Sequence, residues 1–209
     1  MRSEDSLKER ILAQSRTRFL TEGFARVSVS RLSSELAISK KTFYTVFSSK
    51  EDVVREIVRS IQREVRQNLD RILAGNQNFV GKLQAVMVCL ADVNSKMSLV
   101  FGQDIQRHVP SLWKDMEAFR RTRILETFNK LVEQGVREKM IRPEINTRIF
   151  LQAYLAAIER VINPTALAGE SFSAREAILG IVNMFFRGVM TGDAGRQFES
   201  TFVSTLGKV

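Results

Sequence analysis

Apolar residues recur at intervals of three and four along most of the chain, and this pattern predicts helices almost throughout. Leu7, Ile11, Leu12, Phe19 and Leu20 mark a first helix over residues 6–22, opened by the capping-box spacing Ser6-Leu7-Lys8-Glu9 and stopped at Glu22-Gly23. Phe24 is placed to pack back on it. Ser28 caps a short second helix over 29–36 whose inner face is Val29, Leu32 and Leu36, and Ala37 fills the turn that follows. Ser39 caps a third. At about 100° per residue its Phe43, Val46 and Phe47 fall in one apolar arc, while Lys40, Lys41, Thr42, Tyr44 and Thr45 fill the other. A helix of two turns cannot stand alone, so the apolar arc must be anchored and the polar arc is left on display. Ser49 caps a fourth helix, with Glu51 and Asp52 favourable in its first turn and Val53, Val54, Ile57, Val58, Ile61, Val65, Leu69, Ile72 and Leu73 carrying it to about residue 74.

Gly75-Asn76-Gln77-Asn78 is the clearest linker by composition. Six further helices are expected beyond it, over 79–93, 96–107, 111–138, 146–162, 174–191 and 194–206. Pro110, Pro143 and Pro164 fall between them, Ser173-Ala174-Arg175-Glu176 has capping-box spacing, and no strand-like alternation competes. The fold class is therefore all-α: a helix-turn-helix part over residues 1–50 and a larger helical part over 51–209, with the fourth helix shared between them. The helices at 146–162 and 174–191 are apolar nearly all round, which suits either deep burial or a face shared with a second chain.

Composition adds exclusions. With 44% hydrophobic and 26% charged residues among 209, the sequence is that of a globular protein with ample material for a core. Cys89 is the only cysteine and His108 the only histidine, so no zinc site can be built from cysteines and histidines and no disulfide can form within the chain. No cofactor is expected. The opening Met1-Arg2-Ser3-Glu4-Asp5-Ser6 is charged where a signal segment would be apolar, and no uninterrupted apolar run approaches membrane-spanning length, so a cytoplasmic location and no membrane partner are expected. The formal charge of +9 is spread along the chain. Within residues 26–50, however, Arg26, Arg31, Lys40, Lys41 and Lys50 face a single acid, Glu35, and this local excess suits a polyanion.

The series Ile11-Leu12, Phe19, Glu22-Gly23-Phe24, Ser28-Val29, Leu32, Ile38-Ser39-Lys40-Lys41-Thr42-Phe43-Tyr44, Phe47 and Ser49-Lys50-Glu51-Asp52 resembles the TetR family of bacterial transcription regulators. The resemblance covers about the first 55 residues, with caps, turn and aromatic positions in one register. Met140 to Ile145 and Ile162-Asn163-Pro164 resemble family segments more weakly. It departs at Ala37 and Lys41, where the family often has glycine, and at Arg18, an apolar position in the family that is expected here to face solvent. Alanine in the turn suits a backbone held at negative φ. The resemblance implies a homodimer on a near-palindromic double-stranded DNA operator, a repressor responsive to a small molecule, and a dimer interface formed by the last long helices. Carried over by position, it makes Ser28, Tyr44, Thr45 and Lys50 phosphate contacts. Lys40, Lys41 and Thr42 are the candidates for base edges, with Arg31 a further one, since lysine donates to guanine O6 and N7 and a threonine methyl meets that of thymine.

Met87, Met97, Phe101, Trp113, Met116, Phe119 and Phe128 are candidates to line a pocket for an apolar or aromatic effector, although residues of this kind at helical spacing also serve as plain core. His108 is expected at a surface cap and Cys89 as a small buried hydrophobe. A helical interaction module that has lost DNA binding is the alternative function. An enzyme finds no support in any phosphate-loop motif, metal cluster or nucleophile arrangement.

Overall fold

A computed structural model describes residues 2–206, with side chains described for residues 6–200. The charged N-terminal segment discussed above therefore lies largely outside the described side chains. The helices are α1 Arg2–Glu22, α2 Val29–Glu35, α3 Lys40–Val46, α4 Lys50–Ala74, α5 Phe79–Ser95, α6 Leu99–His108, α7 Pro110–Arg137, α8 Thr147–Val161, α9 Pro164–Leu167, α10 Ala174–Arg187 and α11 Gly192–Leu206. Among the described residues the only β pairing is an isolated bridge between Ile141 and Met190. The first helix starts before the Ser6 cap, and the one-turn α9 follows Pro164, where the periodicity is too short to register. Among the described residues no single helix is long and apolar enough to cross a membrane.

Cα packing divides the chain into two compact units. The first comprises Met1–Glu64 and Lys96–Ala118, the second Val65–Ser95 and Phe119–Val209, and α4 and α7 each run from one into the other. A division at residue 50 follows the motif; packing carries the first unit on to Glu64 and draws α6 and the start of α7 into it.

The reason is a shared core. Ile11 and Phe19 of α1, Phe24, Leu32, Phe43, Phe47, Val53, Val54 and Ile57 form one buried cluster with Phe101, Ile105, Val109, Leu112 and Trp113. Each large side chain in it contributes about 1.5–3 kcal/mol by leaving water. The α1–α2 connection is stitched to α6 by polar contacts as well. Ser98 N donates to Leu20 O at 2.8 Å, Ala25 N donates to Asp104 Oδ2 at 2.9 Å, and the ring of His108 meets Phe24 edge-on at 6.1 Å.

Ala37 departs from expectation, because its φ is +54° and not negative. Ala37 N and Ile38 N donate to the carbonyls of Ser34 and Ser33, so closing α2 forces a left-handed residue at this point. That conformation costs an alanine about 1–2 kcal/mol. Ala37→Gly is expected to stabilise the protein by about 0.5–1 kcal/mol once the greater freedom of the unfolded glycine chain is subtracted. Urea denaturation of the two proteins checks it.

The second unit is centred on aromatic packing. Phe128 lies 4.6 Å from Tyr154 and 5.6 Å from Phe186 between ring centroids, and Phe150 meets Phe186 at 5.0 Å. Burial raises the pKa of the Tyr154 phenol. Across the bridge, Arg142 N donates to Val189 O and Thr191 N to Met140 O, which ties the segment after α7 to the end of α10. Gly135 allows a close approach here: a Cβ on it would stand 2.8 Å from Ile141 Cδ1.

Candidate nucleic-acid interface

The short helix α3 is fixed from both ends and from beneath. Ser39 Oγ accepts from Thr42 N at 2.9 Å at its start, and Phe47 N donates to Phe43 O at its end. Phe43 is fully buried, and its ring meets those of Tyr44 and Phe47 at 5.6 and 6.2 Å. The opposite arc is outside: Lys40, Lys41 and Thr45 are exposed, and Tyr44 keeps 51% of its surface in solvent. Anchoring one arc thus displays the other, as the sequence pattern requires.

Ser28, Val29, Ser30, Lys40, Tyr44, Ser48, Ser49, Lys50 and Glu51 surround a surface hollow of about 430 Å³. The N-terminus of the 25-residue α4 opens beside it, capped where Ser49 Oγ accepts from Asp52 N at 3.1 Å. Hydrogen bonds from Ser48 and Ser49 hold the Asp52 carboxyl below its ordinary pKa. Hydroxyls, an ammonium and a helix N-terminus around one hollow are the groups that receive a phosphate. Ser30, Ser48 and Ser49 were not singled out as contacts: Ser49 reads as a cap, and only their shared side of the fold shows that the three converge.

Two sequence candidates are engaged elsewhere. The Arg31 guanidinium donates to Glu22 through NH1 at 2.6 Å and NH2 at 3.1 Å, and to Glu35 through Nε at 3.1 Å. It is therefore a tie between α1 and α2, with Nε and both terminal nitrogens each donating to a carboxylate. Arg18 does not simply face solvent either, since it pairs with Glu22 at 3.1 Å and with Glu35 at 3.0 Å. Lys50 Nζ donates to the carbonyls of Phe24, Ala25 and Val27 at 2.7, 3.3 and 3.2 Å, and stands 5.4 Å from the centre of the Phe24 ring. It anchors the loop that delivers Ser28 while itself bordering the hollow. Sequence spacing could not show this, because the acceptors lie more than twenty residues away.

The four-residue charge network has a pH signature. Arg31 lowers the Glu22 carboxyl pKa first and Arg18 adds to it; Gln14, then Arg18 and Arg31, lower that of Glu35. Folding thus favours the ionised forms, so their stabilisation is full above the ordinary value of 4.5 and is lost as pH falls through the lowered folded values. A Glu22→Gln, Glu35→Gln double variant is expected to lose less stability than the wild type on acidification through this range, measured as urea midpoints.

The proposed effector residues do not form one set. Phe101 and Trp113 are buried in the first unit's core, with Met97 and Met116 packed against it. Met87 and Phe128 are buried in the second unit, and Phe119 there lies 5.9 Å under the Arg66 guanidinium. Periodicity marked all seven as inward-facing but carried no sign of which core each enters. His108 is exposed in the last turn of α6, and Cys89 is half-buried in α5. Among the described residues no group of His, Cys, Asp or Glu is arranged to hold a metal ion.

An anchored two-turn helix displaying lysines, a tyrosine and threonines beside a hollow lined by hydroxyls and lysines, in an otherwise helical chain, defines a helix-turn-helix DNA-binding transcriptional regulator. Residues 11–57 match the model of the bacterial regulatory proteins of the tetR family. The chain is 24% identical to the uncharacterized HTH-type transcriptional regulator YvaF of Bacillus subtilis (strain 168), over 88% of its own length and 95% of the relative's. A TetR-family transcriptional regulator from Marinobacter aquaeolei VT8 shares the fold with a TM-score of 0.75 at 19% identity, over 94% of this chain and 97% of the other. A gamma-butyrolactone receptor (ArpA-like protein) shares it with a TM-score of 0.71 at 12% identity, over 99% and 100%. Residues 11–57 thus carry the tetR-family match, and over most of its length the chain is similar to regulators with that N-terminal part.

Proposed function

We propose that the chain is a homodimeric, ligand-responsive repressor that holds a near-palindromic operator through two copies of the face built by residues 28–50. The observation that carries this is the displayed arc of α3 around its buried Phe43. On the duplex, Ser28, Tyr44 and Thr45 position the protein on phosphates together with the α4 N-terminus, and Lys40, Lys41 and Thr42 meet base edges in the major groove. Lys50 contributes by holding the loop before Ser28 in place.

Dimerisation falls to α8 and α10. Both bury an inner face, yet Ile149 and Met184 remain 65% and 69% exposed, and Ala153, Ala156, Gly180 and Gly188 are exposed beside them. Small residues flanked by large apolar ones allow two such helix pairs to close on their copies, and the dimer then sets its two α3 helices about 34 Å apart or a multiple of that. The effector is a small apolar or aromatic molecule held in the second unit, which keeps Met87, Phe119 and Phe128 of the candidate lining. A repressor role and ligand responsiveness are typical of the family, and the reading places the protein in the cytoplasm.

The test is DNA binding against the promoter regions flanking the coding gene. Wild type is expected to protect a near-palindromic site as a dimer by light scattering and footprinting. Tyr44→Ala should weaken binding to cognate and scrambled DNA alike and lower the salt slope, whereas Lys41→Ala should change the preference between them. Unchanged affinity in both variants, or a monomer mass at all concentrations, would sink the proposal.

A further inference from the structure

The peptide group that joins Phe24 to Ala25 is held from both sides by charge. Its carbonyl accepts from Lys50 Nζ at 2.7 Å, and its N–H donates to Asp104 Oδ2 at 2.9 Å. The ammonium belongs to the first residue of α4 and borders the hollow, whereas the carboxylate belongs to α6. Both bonds are charge-assisted and run through one delocalised amide, so each polarises the group that makes the other. Lys50 extends its hold to the carbonyls of Ala25 and Val27, at 3.3 and 3.2 Å.

Phe24 and Val27 root this turn in the core, while Ala25 and Arg26 between them are exposed. An amide in an exposed turn has water as a competing partner, so the acceptor must be presented by something rigid. Phe101 and Ile105 fix α6 in the core of the first unit, and Ser98 N ties its start to Leu20 O. Gly23 leaves room for the carboxylate, since a Cβ there would stand 2.6 Å from Asp104 Oδ2. Ser28, a few residues further on, caps α2 and lines the hollow together with Lys50. A shift of the Phe24–Ala25 peptide therefore moves two members of the hollow at once, Ser28 through the chain and Lys50 through its hydrogen bond.

We propose that Asp104 is a positioning residue of the DNA interface: through the Phe24–Ala25 peptide it holds Lys50 and Ser28 in the arrangement that meets the duplex. It lies far along the chain from residues 28–50 and acts on them without touching DNA. This rests on the reading of residues 28–50 as the DNA face. Without the carboxylate the turn must be ordered at the moment of binding, and the affinity carries that cost.

The experiment uses the full chain and a labelled duplex spanning the promoter region that flanks the coding gene, at a temperature where every variant is fully folded by circular dichroism. Asp104→Ala is expected to weaken binding about tenfold, and Asp104→Asn, whose amide oxygen still accepts from Ala25 N, to recover most of that loss. In a Lys50→Met background the same Asp104→Ala change should cost less than about threefold, because the relay has already lost its other end. A role in stability alone leaves the affinity of the folded protein at the wild-type value, and an independent role gives the same factor in both backgrounds. Either result overturns the proposal. Hydrogen exchange on the wild type covers the case in which Asp104→Ala fails to fold: the Ala25 amide should exchange at least about tenfold more slowly than in an unstructured peptide, and exchange at the peptide rate means that Asp104 does not hold it. If the wild type binds neither this duplex nor a scrambled one, the DNA-face reading itself falls and the role of Asp104 with it.

Discussion

Replacing Gly23 by alanine should lower the unfolding free energy by about 2–4 kcal/mol, the sum of a left-handed backbone penalty and local overpacking. The residue has φ of +84°, and a Cβ built on it would stand 2.6 Å from both Asp104 Oδ2 and Val100 Cγ1. Neither neighbour can give way freely. Asp104 is held by Ala25 N, and Val100 sits on the α6 backbone that Ser98 ties to Leu20. The loss should appear as a shifted urea midpoint at unchanged slope, and DNA affinity should fall with it, since the loop displaced leads directly to Ser28. Wild-type stability in the variant would mean that α6 does not close on this loop.

Replacing Lys50 by methionine is expected to cost about 2–3 kcal/mol of stability, because three carbonyls lose a charge-assisted donor that they share. The same change separates two roles that the family resemblance merges. An ammonium that stays on the carbonyls of Phe24, Ala25 and Val27 predicts lower stability and weaker operator binding with an unaltered salt slope. An ammonium that leaves the loop to meet a phosphate predicts near wild-type stability and a slope reduced by about one ion. Chemical denaturation and salt titration of binding, made on the same preparation, decide between them.

The helices were readable because their signals are local. Ser28, Ser39 and Ser173 each cap the helix that follows, and Phe43 and Phe47 mark the buried arc of α3 by spacing alone. The exposed arc was equally legible: Lys40, Lys41 and Tyr44 are where the pattern puts them. What the sequence could not display was long-range. Arg31 has the charge of a DNA contact, but Glu22 and Glu35 approach it only after α1 and α2 pack, and nothing in a linear count of charges separates a paired arginine from a free one. Met97, Phe101, Trp113 and Met116 look like any other inward residues of a helix until α6 is seen against α1. The sign of φ at Ala37 was missed for a different reason: residue type suggested the cheap conformation, and the geometry of the turn required the expensive one.

The participation of residues 96–118 in the first unit has a consequence for how the protein is made. During synthesis the helix-turn-helix segment leaves the ribosome early, yet Phe19, Phe24 and Ile57 lack Phe101, Ile105 and Trp113 as partners until roughly half the chain has been translated. A nascent chain arrested short of that point should stay open to protease near its N-terminus. A graft of another relative's reading head would likewise need to carry α6 along with the first sixty residues.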